Sequence, residues 1–316
     1  MTAPVVERCD PRERAEEILG LFNREGRSQF QAAFDRVYRP RAEQGLRSWI
    51  GTADGETVMH ISVSPVRFRS GTRTLTAGIM GDLMVAEAQR DFWAPVRLLR
   101  TVVADLKRDG AIDFLLTTTT SEAESVFRAG GFKPYGLLRR FVAPLYRPWL
   151  GLAAVRGGLA RTRAIEGQEP APGRMQCLGL RGLWRPDANP DFYRTRFSRS
   201  EYMDAIWLDV QDRSGEVRGH ALLSRHLSGN EIGLSDVLLS DSMDLASAAH
   251  AAARWALAKK FGKLVISALT ESRATPELIR AGFVPRAIRS SMLALSMREA
   301  PPAEEIFLNG FPLSSW

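Results

Sequence analysis

One strand-loop-helix block occurs twice in this chain, and a duplication restricts the possible folds more than any single motif does. The first copy runs from Gly78-Ile-Met-Gly-Asp-Leu-Met-Val85 through a helical stretch to Phe114-Leu-Leu-Thr-Thr-Thr-Thr120 and closes on Phe127-Arg-Ala-Gly-Gly-Phe-Lys-Pro134. The second runs from Ile232-Gly-Leu-Ser-Asp-Val-Leu-Leu239 to Leu264-Val-Ile-Ser-Ala-Leu-Thr270 and closes on Leu278-Ile-Arg-Ala-Gly-Phe-Val-Pro285. The pairs Asp82/Asp236, Thr120/Thr270 and Phe132/Phe283 lie 154, 150 and 151 residues apart. A near-constant offset across three elements is the mark of an internal repeat.

A chain of 316 residues has room for two such units, each with its own core. Hydrophobic residues make up 45% and charged residues 25%, the balance of a soluble globular protein. Two cysteines, Cys9 and Cys177, make neither a disulfide framework nor a zinc cluster, so a reducing, cytoplasmic setting is expected. Met1-Thr-Ala-Pro4 leads into charged residues without the apolar core of a signal peptide. The most apolar stretch, Phe141 to Ala160, is broken by Arg147, Pro148 and Arg156, so no membrane-spanning helix is expected. The net charge of +7 suits an anionic partner: CoA phosphates, an acyl-carrier protein, RNA or a lipid surface. It equally suits a basic, well-hydrated surface. The chain has no Gly-x-Ser-x-Gly, Walker loop, Rossmann glycine run or His-Glu-x-x-His.

Patterning predicts the order of elements. Helices are expected over residues 11–23, with Asp10-Pro11 as cap and first turn, and over Ser28 to Tyr38, stopped by Pro40. Strands follow at Leu46 to Ala53, Thr57 to Arg69 and Thr72 to Val85, with a hairpin at Asp54-Gly55. A helix over Phe92 to Arg108, a strand over Ile112 to Thr118, a helix over Ser121 to Ala129 and a closing strand over Tyr135 to Ala143 complete the first unit. Ser121 with Glu124 reads as a capping box. Residues 144–176, rich in proline and arginine, read as a linker with a short amphipathic helix around Leu150 to Leu159, or alternatively as a basic lid. The second half repeats the order: strands over Ala205 to Asp212, Glu216 to Leu227 and Glu231 to Leu239, a helix over Leu245 to Phe261, a strand over Lys263 to Leu269, a helix over Thr275 to Ala281 and a strand over Ala287 to Met297. Residues 301–316 form a tail. Mixed strands with one crossover helix describe an α/β (α+β) fold.

Residues 10–143, and more distantly 178–298, resemble the GNAT (GCN5-related N-acetyltransferase) superfamily. The resemblance implies two tandem domains, residues 1–143 and 177–300, each a mixed, mostly antiparallel sheet flanked by helices. It also implies an acyltransferase that uses acetyl-CoA or another acyl-CoA, or an acyl-carrier protein, and no metal. The acceptor would be an amine or hydroxyl; no DNA partner is expected. In the family, a central strand exposes amides to the pantetheine arm, and a loop of pattern Arg/Gln-x-x-Gly-x-Gly/Ala holds the diphosphate at a helix N-terminus. Here those positions are Leu83, Met84 and Val85 on the strand and Arg90, Asp91, Phe92, Trp93 and Ala94 in the loop. The loop departs from the pattern. Trp93 replaces the first glycine, Pro95 the second, and Asp91 adds negative charge. Alternatively, Arg90 is a solvated arginine and Trp93 a core anchor. The second copy, Leu239-Ser-Asp-Ser-Met-Asp-Leu245, has caps but no glycine, and reads as structural.

The resemblance also implies a tyrosine proton donor five residues before Phe132 and Phe283, but Phe127 and Leu278 stand there. Candidates for the base are Asp82, Glu87 and His60, with Asp236, His220 and His226 on the second copy. Asp82 and Asp236 also read as a shared hydrogen bond at a strand bulge, and His60 as a packed histidine. Three functions stay open: acyltransfer, a non-catalytic module with GNAT-like clefts, and an aminoacyl-tRNA-dependent transferase of the Fem type.

Overall fold

A computed structural model describes residues 3–28, 30–159, 161–172, 174, 180, 182–187, 193, 203–226 and 229–307. The first half contains β1 (Val5–Cys9), β2 (Arg47–Ala53), β3 (Glu56–Ser70), β4 (Arg73–Val85), β5 (Phe114–Thr119) and β6 (Lys133–Pro144). The second contains β7 (Arg163–Glu166), β8 (Arg185–Pro186), β9 (Met203–Gln211), β10 (Val217–His226), β11 (Glu231–Leu239), β12 (Lys263–Leu269) and β13 (Val284–Ser296). Among the described residues these strands form one sheet in the order β1-β2-β3-β4-β5-β13-β6-β12-β11-β10-β9-β7, with β8 paired to β3.

The order at the centre is the main architectural finding. The closing strand of each half does not pair beside its own preceding strand. β13 pairs antiparallel with β5 from Ser291↔Thr119 to Ser296↔Phe114, and β6 pairs with β12 from Lys263↔Pro144 to Leu269↔Leu138. β6 and β13 then pair with each other, so the halves are joined by exchanged strands. The cores follow the exchange. Leu293 of β13 packs in the core that holds Trp49, Ile61 and Leu99, while Phe141 and Ala143 of β6 pack in the core of the second half.

The helices are α1 (Ala15–Arg24), α2 (Phe30–Ala33), α3 (Arg39–Glu43), α4 (Trp93–Asp109), α5 (Ser121–Ala129), α6 (Arg147–Gly157), α7 (Leu245–Ala258) and α8 (Ala274–Arg280). α4 buries Leu98, Leu99, Val102, Val103 and Leu106, a helical stripe, and ends on Gly110 in the left-handed region. α7 buries seven alanines, which keeps the helix close to the sheet, and Asp244 caps it by accepting from Ser247 N at 2.9 Å.

Several expectations need correction. Pro40 does not stop the second helix. A π-helical turn, Phe34–Tyr38, runs directly into α3, and Pro40 falls near the start of α3, where the hydrogen-bonding pattern changes and its missing N–H is tolerated. α1 starts only at Ala15, because Asp10 spends its carboxylate on a turn with Arg12. The capping box at α5 does not form: Thr120 takes the cap position without a side-chain bond, and Glu124 is held by Arg128. Within 144–176 a short helix is present, as expected around Leu150 to Leu159, though it begins earlier. This is α6, with Leu150 buried but Leu152 and Val155 exposed, so the helix is not cleanly amphipathic. The segment also carries β7, an edge strand on β9. The 3-10 turn Ala303–Glu305 and a bridge between Trp184 and Ile306 tie down the start of the tail. Cys177 and residues 308–316 lie outside the described residues. No helix among the described residues is long and apolar enough to cross a membrane.

Candidate functional site

In each half, the two parallel central strands pair over three residues and then separate. β4 and β5 are in register from Ala77↔Phe114 to Ile79↔Leu116, and β11 and β12 from Glu231↔Lys263 to Gly233↔Val265. Beyond Ile79, β4 continues to Val85 without a ladder partner on its β5 side. Gly78 permits the close crossing at the root of this gap: a Cβ there would lie 2.6 Å from Leu115 Cδ2 and 2.9 Å from Val63 Cγ1.

The gap in the first half opens into a cavity of about 420 Å³. One wall is β4 from Ile79 to Met84, and another is the Thr117–Thr120 run at the end of β5. Phe22, Phe30 and Arg41, from the helical segment before β2, form the rim with Arg27. Thr117 Oγ1 donates to Met80 O at 3.4 Å across the root of the gap. Phe127, at the position where the family's tyrosine is expected, is a buried wall residue without a proton to give.

Asp82 is the point on which the local structure turns. β4 bulges there: His60 pairs with Met84 and Ser62 with Gly81, so Asp82 and Leu83 share the single Ile61 as their counterpart. Asp82 takes φ +55, an uncommon value for a residue with a Cβ. Its Oδ2 accepts from Tyr38 Oη at 2.5 Å and from Ser62 Oγ at 3.4 Å. Its backbone carbonyl accepts from His60 Nδ1 at 3.1 Å. Nδ1 therefore carries the imidazole proton, and Nε2 accepts from Ser48 Oγ at 3.3 Å. His60 is fully buried, and burial lowers its pKa to about 4. Burial, followed by the nearby Asp82 charge, raises Tyr38 well above the ordinary phenol value. Tyr38 reaches Asp82 because the π turn carries it inward.

The buried imidazole has a measurable consequence. Its folded pKa lies below its ordinary value of 6.5, so the native state refuses a proton that the unfolded chain accepts. The stabilisation is complete above pH 6.5 and is lost as pH falls to about 4, at about 1.4 kcal/mol per unit. Denaturant unfolding between pH 7 and 4 should show this slope, and His60→Gln should flatten it by about one proton.

The other candidates are placed elsewhere. Glu87 lines a separate groove with Arg24, Glu25 and Glu56, away from the cavity that holds Asp82. Arg90 is not simply solvated. It pairs with Glu25 and donates from Nε to Val85 O at 3.0 Å. Trp93 is no core anchor: it is 56% exposed and stacks edge-on with the exposed Phe92. Asp91 Oδ1 accepts from Trp93 N and Ala94 N, both at 2.6 Å. The first amides of α4, where a diphosphate would bind, are thus held by a carboxylate of the chain itself, and Pro95 has no amide to add. The strand side of the site fits a pantetheine-like arm; the helix end does not fit a diphosphate.

The second half has a related arrangement: Asp236, paired with Leu222, accepts from Tyr193 next to a bulge at which Ser235 is the extra residue. Tyr38 and Tyr193 lie 155 positions apart, the same spacing within one residue as the aspartates. Here the surroundings are filled: Tyr193, Arg185 and Asp236 are all buried, with Arg185 Nη2 3.9 Å from Asp236 Oδ2. His220 Nδ1 lies 2.8 Å from Asp209 Oδ1 on the neighbouring strand, and the side chain of His226 lies outside the described residues. Among the described residues, no three His, Cys, Asp or Glu side chains converge as metal ligands. The residues that sequence reading did not single out are Tyr38, Arg41, Arg27 and Ser62; only the tyrosine carried a signal, its repeat spacing.

No family model matches the sequence, and no curated protein matches it in a sequence search. Solved structures do match in shape. A probable N-acyltransferase from Enterococcus faecalis superposes with a TM-score of 0.69 at 11% identity, covering 94% of this chain and 73% of that one. A GCN5-related N-acetyltransferase from Anabaena variabilis gives 0.63 at 8% identity, covering 93% and 73%. A tandem GNAT protein from the clavulanic acid biosynthesis pathway gives 0.55 at 11% identity, covering 94% of this chain and all of that one, 100%. With the repeated splayed strands and bulges, these matches establish that the chain has the GNAT fold in its tandem form.

Proposed function

We propose that the first half is an acyltransferase site that takes an acyl thioester as donor and a small amine as acceptor. The observation that carries this reading is the separation of β4 from β5 beyond Ile79 and Leu116, which leaves one edge of β4 free beside a cavity. Main-chain groups along Leu83–Val85 can hold the amide-rich arm of a thioester and orient its carbonyl. The acceptor enters from the side of Phe22 and Phe30. Its ammonium first loses a proton to water. As the free nitrogen attacks the thioester carbon, the N–C bond forms, and the now cationic nitrogen gives its second proton toward Asp82. The C–S bond then breaks. A thiol of pKa about 8.5 leaves readily as the thiolate, so the phenylalanine at position 127 is no bar to reaction. The second half, with its buried Arg185–Asp236–Tyr193 cluster, serves as scaffold. A cytoplasmic setting accords with Cys9, a free thiol that burial pushes up to about 11 and so keeps unreactive.

The donor reading is tested by calorimetry with acetyl-CoA, free CoA and acetyl-pantetheine. Acetyl-CoA and acetyl-pantetheine should bind with similar affinity, because Asp91 denies the diphosphate its amides. Asp91→Ala should tighten acetyl-CoA by about tenfold, equivalent to about 1.4 kcal/mol, and leave acetyl-pantetheine unchanged. Binding of neither thioester would overturn the reading in favour of a non-catalytic module.

A further inference from the structure

The cavity beside Asp82 contains a cation that the proposed reaction does not use. Arg41 lies at the end of the helical segment, on the acceptor side, and is one of the residues that line the cavity. No hydrogen bond or ion pair holds its guanidinium among the described residues. Burial lowers its pKa, opposed by the charge of Asp82. Several arginines among the described residues behave differently: Arg8, Arg12, Arg14, Arg90 and Arg128 are each tied to a carboxylate. Arg41 is half-buried, and an arginine that lines a cavity is a ready partner for the carboxylate of a guest. Arg27, exposed at the rim of the same cavity, adds a second positive charge. The Asp82 carboxylate supplies one negative pole, and the stacked rings of Phe22 and Phe30, with centroids 3.6 Å apart, supply an apolar wall. A ligand that answers all three features carries an ammonium, a carboxylate and an apolar side chain. The cavity volume of about 420 Å³ falls in the range of about 300–1,000 Å³ usual for small-molecule sites.

We propose that the acceptor is an apolar or aromatic amino acid, or a closely related amino-carboxylate, with its carboxylate on Arg41, its amine at Asp82 and its side chain against Phe22 and Phe30. This assignment rests on the acyltransfer reading for its chemistry, but the binding site it describes stands apart from catalysis. Guanidinium and carboxylate match as planar partners, so Arg41 confers selectivity for the zwitterion over the simple amine.

The test uses the full chain and a matched panel: phenylalanine and leucine, the amines that lack their carboxylate (phenethylamine and isoamylamine), and 3-phenylpropanoate, which lacks the amine. Calorimetry should show at least one amino acid binding, with loss of the carboxylate or the amine each weakening it by tenfold or more. Arg41→Gln should weaken the amino acid by about 10–100-fold and leave the matched amine unchanged, and Arg41→Lys should restore part of the loss. Thermal unfolding of both variants separates this from a folding defect, because a merely structural arginine would weaken amine and amino acid alike. Equal affinity of wild type for amino acid and matched amine, or no binding of any panel member, overturns the proposal. So does an Arg41-dependent preference for succinyl- over acetyl-pantetheine, which would put the carboxylate on the donor. Amino-acid binding that depends on Arg41 without any acyl transfer would uphold the site and refute the acyltransferase reading instead.

Discussion

Replacing Asp82 with asparagine is expected to lower kcat for acyl transfer by about 10²–10⁴-fold, the usual contribution of a positioned proton acceptor. The substitution keeps the shape. Asparagine can still accept from Tyr38 through its carbonyl oxygen, and its backbone can still meet His60 Nδ1 at the bulge. Folding and donor affinity should therefore persist while the proton has nowhere to go. The corresponding change in the second half, Asp236→Asn, serves as a control. That carboxylate is buried with Arg185 and Tyr193, so its loss should cost stability and not rate. A drop in kcat of less than tenfold for Asp82→Asn, measured at saturating acceptor across the pH range, would mean that Asp82 only knots the bulge together, as Asp236 does. Tyr38→Phe probes the same point from the other side. Removing the phenol leaves the carboxylate one donor short, and should alter the pH dependence of kcat more than the affinity for either substrate.

The repeat made the fold legible, and its limits mark what the sequence withheld. The three constant offsets identified the two central strands, their crossover helices and the closing strands, because side chains on those elements alternate or cycle with the local period. The exchange of β6 and β13 left no such trace. Both strands present the same pattern whether they close their own half or the other, since β5 and β12 offer equivalent edges. Asp82 was legible as a bulge residue because it has a counterpart in Asp236. Its partner Tyr38 was hidden in a segment whose helix appeared to end at Pro40, although the π turn carries it onward. The diphosphate loop was legible as altered. That Asp91 itself fills the amides was not, because a negative residue near a helix start serves equally as a cap or as a repulsive charge. Arg41 had no signal at all. Its meaning arises from the cavity it lines, which only the folded chain assembles.

Phe141→Ala is expected to destabilise the whole chain by about 3–5 kcal/mol, the range for emptying a buried aromatic site. Phe141 is 1% exposed and sits in β6, paired to Ile266 of β12 on one side and Pro285 of β13 on the other. With ladders on both flanks, the backbone cannot close over the void, which puts the cost toward the upper part of that range. The residue comes from the first half of the sequence but packs in the core of the second, with Leu150, Leu264 and Phe283. β13, its other neighbour, carries Leu293 into the core of the first half. Loosening one exchanged strand therefore loosens the other, and both cores lose support together. Scanning calorimetry should show a single transition in wild type and variant, shifted down as one, with calorimetric and van't Hoff enthalpies in agreement. Two separate transitions, only the second of them moved by the substitution, would mean that each half closes on its own strand. Against a total stability of about 5–15 kcal/mol, a loss of this size leaves little in reserve. The variant should then unfold at denaturant concentrations that the wild-type chain withstands, even though the altered side chain lies outside the first-half cavity, which carries the proposed chemistry.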